Sequence, residues 1–125
     1  MAAISGLALT YSAGAMAQNL NADETQTVLT AGPWRVEAGA TYNYFIWNAD
    51  GTLCVKMYDP HAESCEDSGT WSRDGTEICY QLQWWGQAYD QHEGCFRIAN
   101  AEPSGYEAID AAGLPELTFS IVGSD

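Results

Sequence analysis

The chain has 125 residues and a formal net charge of −13, from 17 Asp and Glu against 4 Lys and Arg. This length is typical of one domain. With 46% hydrophobic residues and five Trp, the chain has enough apolar material for a core, which excludes a disordered protein. No apolar run reaches the ~18 residues of a membrane-spanning helix. The negative charge argues against binding to nucleic acid or to an anionic membrane, because both carry negative phosphates.

Residues 1–17 have the pattern of a signal peptide. They contain no charged residue and end in Ala15-Met16-Ala17, a small-x-small sequence of the kind that signal peptidase cleaves. A basic n-region is missing, so we expect it to lie upstream; the alternative is a buried N-terminal helix. We therefore predict an exported protein, periplasmic or secreted, with an N-terminal segment over 18–32 and a single β domain over 33–125.

One short helix is predicted, within residues 20–31. Asn21 and Asp23 are residue types that favour a helix N-terminus, and the helical pattern runs through Leu29. Gly32-Pro33 then ends it, because neither residue continues a helix.

From residue 33 onward, apolar residues recur with a period of two, which is typical of half-buried strands. The residues expected on the inner face are Leu53, Val55, Met57, Ile78, Tyr80, Leu82, Trp84, Phe96, Ile98, Leu117, Phe119 and Ile121. Strand 41–47 is aromatic on both faces. This fits either a central strand covered on both sides or a strand with a recognition surface.

Tight-turn sequences separate these strands. Asn48-Ala49-Asp50-Gly51 and Asp74-Gly75 supply the backbone conformations that hairpins need. Short hairpins make sequence neighbours into sheet neighbours. The predicted fold is therefore all-β: a small antiparallel up-and-down meander of about seven or eight strands that closes into a barrel or a tight sandwich.

The four cysteines contain no Cys-x-x-Cys pair, which argues against a zinc site. After export they are expected to form two disulfides, for which three connectivities exist. The hairpin geometry favours Cys54–Cys65 and Cys79–Cys95, because each pair flanks a turn. Each bridge should stabilise the fold by roughly 3 kcal/mol. The second bridge is expected on the outer face of the sheet.

The titratable residues do not form a recognisable catalytic arrangement in the sequence, so we expect no enzymatic activity and no cofactor. His61 and His92 lie in predicted loops without the spacing of metal ligands, and we predict no metal site there, even with Glu63 or Glu93.

Three aromatic residues are candidates for contact with a ligand or partner: Trp85, Tyr44 and Trp47. Trp84 and Trp85 are consecutive, so in a strand they point to opposite faces. If Trp84 is in the core, Trp85 lies on the surface or under a loop.

The order Asp50-Gly51-Thr52, Gly69-Thr70-Trp71, Asp74-Gly75, Cys79 and Cys95-Phe96 resembles an uncharacterised family of small secreted bacterial β-proteins. The resemblance covers about residues 41–99 and implies an exported β domain without implying an activity. The Gly-x-Trp sequence is also similar to that of lipocalin barrels. The size and predicted disulfides are similar to those of periplasmic lysozyme inhibitors, whose Ser-Gly-x-x-Tyr spacing differs from Ser104-Gly105-Tyr106.

These observations predict a non-enzymatic binding or interaction module whose acidic surface attracts a cationic protein, such as a lysozyme-type enzyme. The alternative is a lipocalin-like carrier of a small apolar ligand, with a pocket lined by Trp84, Tyr80, Phe96 and Phe119. A hydrolase that uses acidic residues is a third, less favoured class.

Overall fold

The computed structural model describes residues 19–38, 42–83, 93–101 and 104–123. The predictions for the signal peptide and for Trp84, Trp85 and His92 lie outside these residues. The described part contains one helix and eight strands: α1 (Ala22–Leu29), β1 (Trp34–Ala38), β2 (Tyr44–Trp47), β3 (Thr52–Lys56), β4 (Asp67–Asp74), β5 (Glu77–Leu82), β6 (Glu93–Asn100), β7 (Tyr106–Ile109) and β8 (Pro115–Ile121).

The eight strands form a closed antiparallel barrel in which each strand pairs with its sequence neighbour and β1 pairs with β8. The predicted meander is confirmed, and it closes as a barrel. Both predicted tight turns are present, with Gly51 at φ 92° and Gly75 at φ 65°. These are left-handed conformations that glycine adopts without a steric penalty.

The helix begins and ends as predicted. The side chain of Asn21 accepts a hydrogen bond from the Glu24 amide at 2.8 Å, and the Glu24 carboxylate accepts one from the Asn21 amide at 2.9 Å. This reciprocal capping box satisfies two amide groups at the helix start. At eight residues, the helix is too short to cross a bilayer, and no other helix in the described part of the chain is long and apolar enough to do so.

Aromatic side chains fill much of the barrel interior. Trp34 is fully buried and stacks on Phe119 with 3.6 Å between ring centroids, while Trp47 and Phe96 lie 5.0 and 5.9 Å from the same ring. The inner-face prediction is confirmed for the described residues, which are either buried or packed against the core. On the doubly aromatic strand, Phe45 and Trp47 face inward.

The helix closes one end of the barrel, which we call the helix end. Leu29 of α1 is fully buried against the core. The indole nitrogen of Trp34 donates a hydrogen bond to the Val28 carbonyl at 3.3 Å, and Arg73 Nε donates to the Gln26 side chain at 2.8 Å. The opposite end, where residues 57–66 and 110–114 connect strands, is called the loop end.

Both predicted disulfides are present. Cys54 and Cys65 have Cα atoms 5.4 Å apart, and the bridge ties the 57–66 segment to β3. Cys79 and Cys95 are directly opposed on β5 and β6, with Cα atoms 4.0 Å apart. Their neighbours Ile78 and Phe96 point inward, so the second bridge lies on the outer face, as predicted.

Candidate functional site

The Gly-Thr-Trp sequence on β4 has a structural role. A Cβ atom on Gly69 would lie 1.8 Å from the Gln81 carbonyl oxygen of β5, so only glycine permits the close approach of these strands. Trp71 packs against the core, and its indole nitrogen donates to the Asn48 carbonyl at 2.9 Å. Gly69 and Trp71 therefore hold β4 against its neighbouring strands.

The three predicted contact residues lie in different environments. Trp47 is 4% exposed and belongs to the core, because alternate residues of β2 point into the barrel and Trp47 is one of them. A partner at the surface does not reach it in this structure. Tyr44 is half-buried and pairs with Lys56 of β3. Trp85 lies outside the described residues, so contact by Tyr44 or Trp85 stays a prediction.

The residues predicted to line a carrier's pocket also differ in environment. Phe96 and Phe119 are 4% and 1% exposed and pack against Trp34. Tyr80 packs against Trp47 and Phe96, and Trp84 lies outside the described residues. The described aromatic side chains thus contact one another where a carried ligand would sit.

A cleft of about 610 Å³ lies on β4, β5 and β6, and we call it the sheet cleft. Register places Thr70, Gln81 and Glu93 in one row across the three strands. Two residues further along the strands, the next row on the same face consists of Ser72, Cys79 and Cys95. Hydroxyl, amide and carboxylate groups therefore surround a disulfide, an arrangement that offers hydrogen bonds but no nucleophilic thiol.

Among the described residues, the only group with metal-like spacing is Glu77 with Cys79 and Cys95, whose ligand atoms lie within 4.8 Å of one another. Both sulfurs belong to the disulfide, so they are not thiolates and do not hold a metal. His61 and Glu63, which we considered as ligands, are both exposed on the 57–66 segment.

A second cleft, of about 320 Å³, lies at the helix end between α1 and the adjoining ends of β6 and β7. We call it the helix cleft. Its lining combines apolar, acidic and neutral polar side chains: Leu20, Asp23, Glu24, Thr27, Val28, Asn100 and Tyr106. No basic residue lines it in the described part of the chain. This cleft was not predicted from the sequence, because its residues lie about seventy positions apart and meet only in the fold.

The loop end brings ionisable groups together. Burial, and secondarily the charge of Glu116, raises the pKa of Tyr80 from 10.0 to about 12. Partial burial raises the pKa of the Glu116 carboxyl even though this residue is exposed at the surface, and the nearby Asp110 adds to the effect. Shifts of this kind occur in functional sites and in structural clusters alike.

The charges on the surface are strongly unequal. Of the described carboxylates, eleven are exposed: Asp23, Glu24, Glu37, Asp50, Asp59, Glu63, Glu66, Asp74, Glu77, Glu93 and Glu116. Among the four basic residues, only Arg35 is in the same exposure class. Lys56 is 5% exposed and donates to the Ala62 carbonyl, and Arg73 is held by Gln26. The protein therefore presents a surface of nearly uniform negative charge over the residues described.

One exposed carboxylate is held locally. Asp50 accepts hydrogen bonds from the Thr52 hydroxyl at 2.7 Å and from the Thr52 amide at 3.0 Å. These bonds lower the pKa of Asp50 below its ordinary value, because they favour the ionised carboxylate.

Comparison of the chain with protein-family models, with curated proteins and with solved structures found no match.

Proposed function

We propose that this protein is an exported, non-enzymatic binding module whose partner is a cationic protein. The observation that carries the proposal is the surface charge: eleven exposed carboxylates against one exposed basic side chain among the described residues. Such a surface attracts a positively charged partner over a distance of about the Debye length, which is ~10 Å at 0.1 M salt. It raises the association rate and rejects acidic proteins.

Export is supported by the two disulfides. Such bridges form and persist in oxidising compartments and are rare where thiols are kept reduced. All four cysteines are paired. Periplasmic or secreted location is therefore part of the proposal, together with the signal peptide predicted over residues 1–17.

Two basic side chains, Lys56 and Arg73, are engaged within the protein, which reduces the positive charge that a partner meets. Lys56 lies under the 57–66 segment, so its charge contributes less to the outer potential than an exposed lysine would. Arg73 donates to Gln26 and to the Gly75 carbonyl, which holds its guanidinium against the barrel. A partner approaching from solvent meets mainly carboxylates.

The test is a binding measurement on a surface sensor with three probes: a lysozyme-type enzyme, an unrelated protein of similar positive charge, and an acidic protein of similar size. We expect the cationic proteins to bind at about 0.02 M salt, with an association rate that falls steeply towards about 0.5 M, where screening is strong. The acidic protein should not bind. Failure of every cationic protein to bind at low salt would overturn the proposal.

A further inference from the structure

We propose that the helix cleft receives a lysine or arginine side chain of the cationic partner; this inference rests on the proposed function. The cleft combines an apolar floor with a carboxylate at its rim, and the two belong to different elements of the fold. This combination matches a side chain with an apolar stem and a cationic head, since lysine and arginine bury their methylene groups while the charge stays near water.

The floor is well placed to receive the methylene stem. Leu20 and Val28 are 6% and 8% exposed, so they lie just beneath the surface of the cleft. Tyr106 also lines the cleft, and its ring stacks on Phe119 with 5.4 Å between centroids. This stacking fixes the orientation of the ring against which a stem can pack, and an aromatic ring also attracts a cation at its face.

The rim carries the negative charge. Asp23 and Thr27 are separated by one helical turn and lie on the same side of α1. The Thr27 hydroxyl donates to the Asp23 backbone carbonyl at 3.0 Å, and Asp23, which is exposed, lines the cleft and supplies a carboxylate for an incoming cation. Glu24 is bound to the Asn21 amide by the capping box and adds charge from a fixed position.

Asn100 supplies a neutral hydrogen-bond acceptor to the helix cleft. Asn100 is exposed at the end of β6 and is paired in register with Tyr106. Its amide oxygen is able to accept a hydrogen bond from an ammonium or guanidinium group.

Other classes of occupant fit less well. An anion would be repelled by Asp23 and Glu24. A wholly apolar group would bury carboxylates without replacing their hydrogen bonds to water, which is unfavourable. Arg73, which reaches α1, is engaged with Gln26 and Gly75 and is absent from the lining. A cation from another molecule is the occupant that the chemistry favours.

The experiment follows the methyl resonances of Leu20 and Val28 by NMR while N-acetyl-lysine methylamide is added to the full chain. The matched probe is N-acetyl-norleucine methylamide, which keeps most of the stem and lacks the charge. We expect the lysine probe to shift these methyl resonances in a saturable way and the norleucine probe to shift them much less.

Two variants and one control test whether the carboxylate of Asp23 binds the cationic head of the probe. Asp23→Asn should weaken binding of the lysine probe by about threefold to tenfold, the range of a partly exposed ion pair. The control is Glu63→Gln, an exposed carboxylate on the 57–66 segment, and it should change the affinity by less than about twofold. Asn100→Lys places an ammonium of the protein itself at the cleft and should abolish probe binding. Asn100 is exposed, and circular dichroism checks that this variant is folded.

The same variants are then tested against the cationic proteins on the sensor. A larger loss for Asp23→Asn than for Glu63→Gln supports the inference. Equal losses, or probe-induced shifts spread evenly over the carboxylate-bearing surface, overturn it and leave the proposed function standing. If no cationic protein binds at low salt, the proposed function fails, and the role of the cleft in partner binding fails with it, even where the lysine probe binds.

Discussion

The two ends of the barrel are held together by different kinds of interaction. At the helix end, α1 covers a stack of aromatic rings, and the buried Trp34 indole joins the helix to the barrel through the Val28 carbonyl. At the loop end, the closing interactions are polar and covalent. Asp67 is 3% exposed and accepts from the Ser68 amide, and the Cys54–Cys65 bridge ties the 57–66 segment in place.

This difference implies that the two ends respond to different conditions. Burial of apolar rings does not change with pH or with a thiol reductant, so the helix end should keep its stability under both treatments. The loop end contains a covalent bridge that a reductant cleaves and groups whose pKa burial has raised, such as Glu116. The helix cleft lies at the helix end, so we expect its shape to change little under either treatment.

The largest expected effect concerns the helix end. Trp34→Ala removes a fully buried ring together with its stacking on Phe119 and its hydrogen bond to Val28. We expect the free energy of unfolding to fall by about 3 to 5 kcal/mol, the range for large aromatic residues in cores. Urea denaturation followed by circular dichroism measures it.

The control for this variant is Tyr58→Ala, since Tyr58 is 84% exposed in the 57–66 segment. Its cost should be within about 0.5 kcal/mol. A Trp34→Ala cost below about 1 kcal/mol would show that the ring stack does not hold the helix end.

The next largest effect concerns the bridge of the loop end. Replacing Cys54 and Cys65 together by serine should lower the free energy of unfolding by about 3 kcal/mol, by the loop-entropy argument. It should also free the 57–66 segment, where Lys56 donates to the Ala62 carbonyl. Hydrogen exchange checks the second point: the Glu66 amide, bonded to the Val55 carbonyl at 2.8 Å, should lose protection before the core does.

The matched control replaces Cys79 and Cys95 by serine. These residues lie on strands that stay joined by backbone pairing on both sides of the bridge, from Ile78–Phe96 to Gln81–Glu93. We expect a similar loss of global stability with no change in the protection of Glu66. Loss of Glu66 protection in the control would contradict the assignment of the first bridge to the loop end.

The parts of this fold that can be predicted from the sequence are those specified by residues close together in the chain. Period-two patterning and Asp-Gly turns act over a few residues, so they predict the hairpins around Gly51 and Gly75, and these predictions are confirmed. Strands β1 and β7 were not singled out. They have five and four residues, and their pairing with β8 contains register shifts that no local pattern indicates.

The candidate site follows much less from the sequence. The helix start was predicted because Asn21 and Asp23 are residue types that favour a helix N-terminus, whereas the reciprocal bond with Glu24 was not predicted. That Asp23 would share a cleft with Tyr106 depends on how α1 docks on the barrel, which involves contacts between residues far apart in the chain. The requirement for glycine at position 69 could not be predicted either, because the Gln81 carbonyl that excludes a side chain there lies on the next strand.

The smallest expected effect concerns the response of the loop end to alkaline pH. In the folded protein the pKa of Tyr80 is raised from its ordinary value of 10.0 to about 12, first by burial and then by the charge of Glu116. The fold therefore favours the protonated phenol. The stability from this group is fully present below pH 10 and is lost as pH rises from 10 to about 12. Two pKa units correspond to about 2 to 3 kcal/mol.

Urea denaturation at several values between pH 9 and about pH 12 measures this loss for Tyr80→Phe and for the matched control Tyr58→Phe, whose side chain is exposed. Tyr80→Phe should remove most of the alkaline loss, because phenylalanine has no proton to release, while Tyr58→Phe should leave it unchanged. Glu116→Gln should reduce the loss by a smaller amount, since it removes only the second cause of the raised pKa. If both tyrosine variants lose stability with pH as the parent does, the alkaline response does not come from Tyr80, and the loop end owes its pH dependence to other groups.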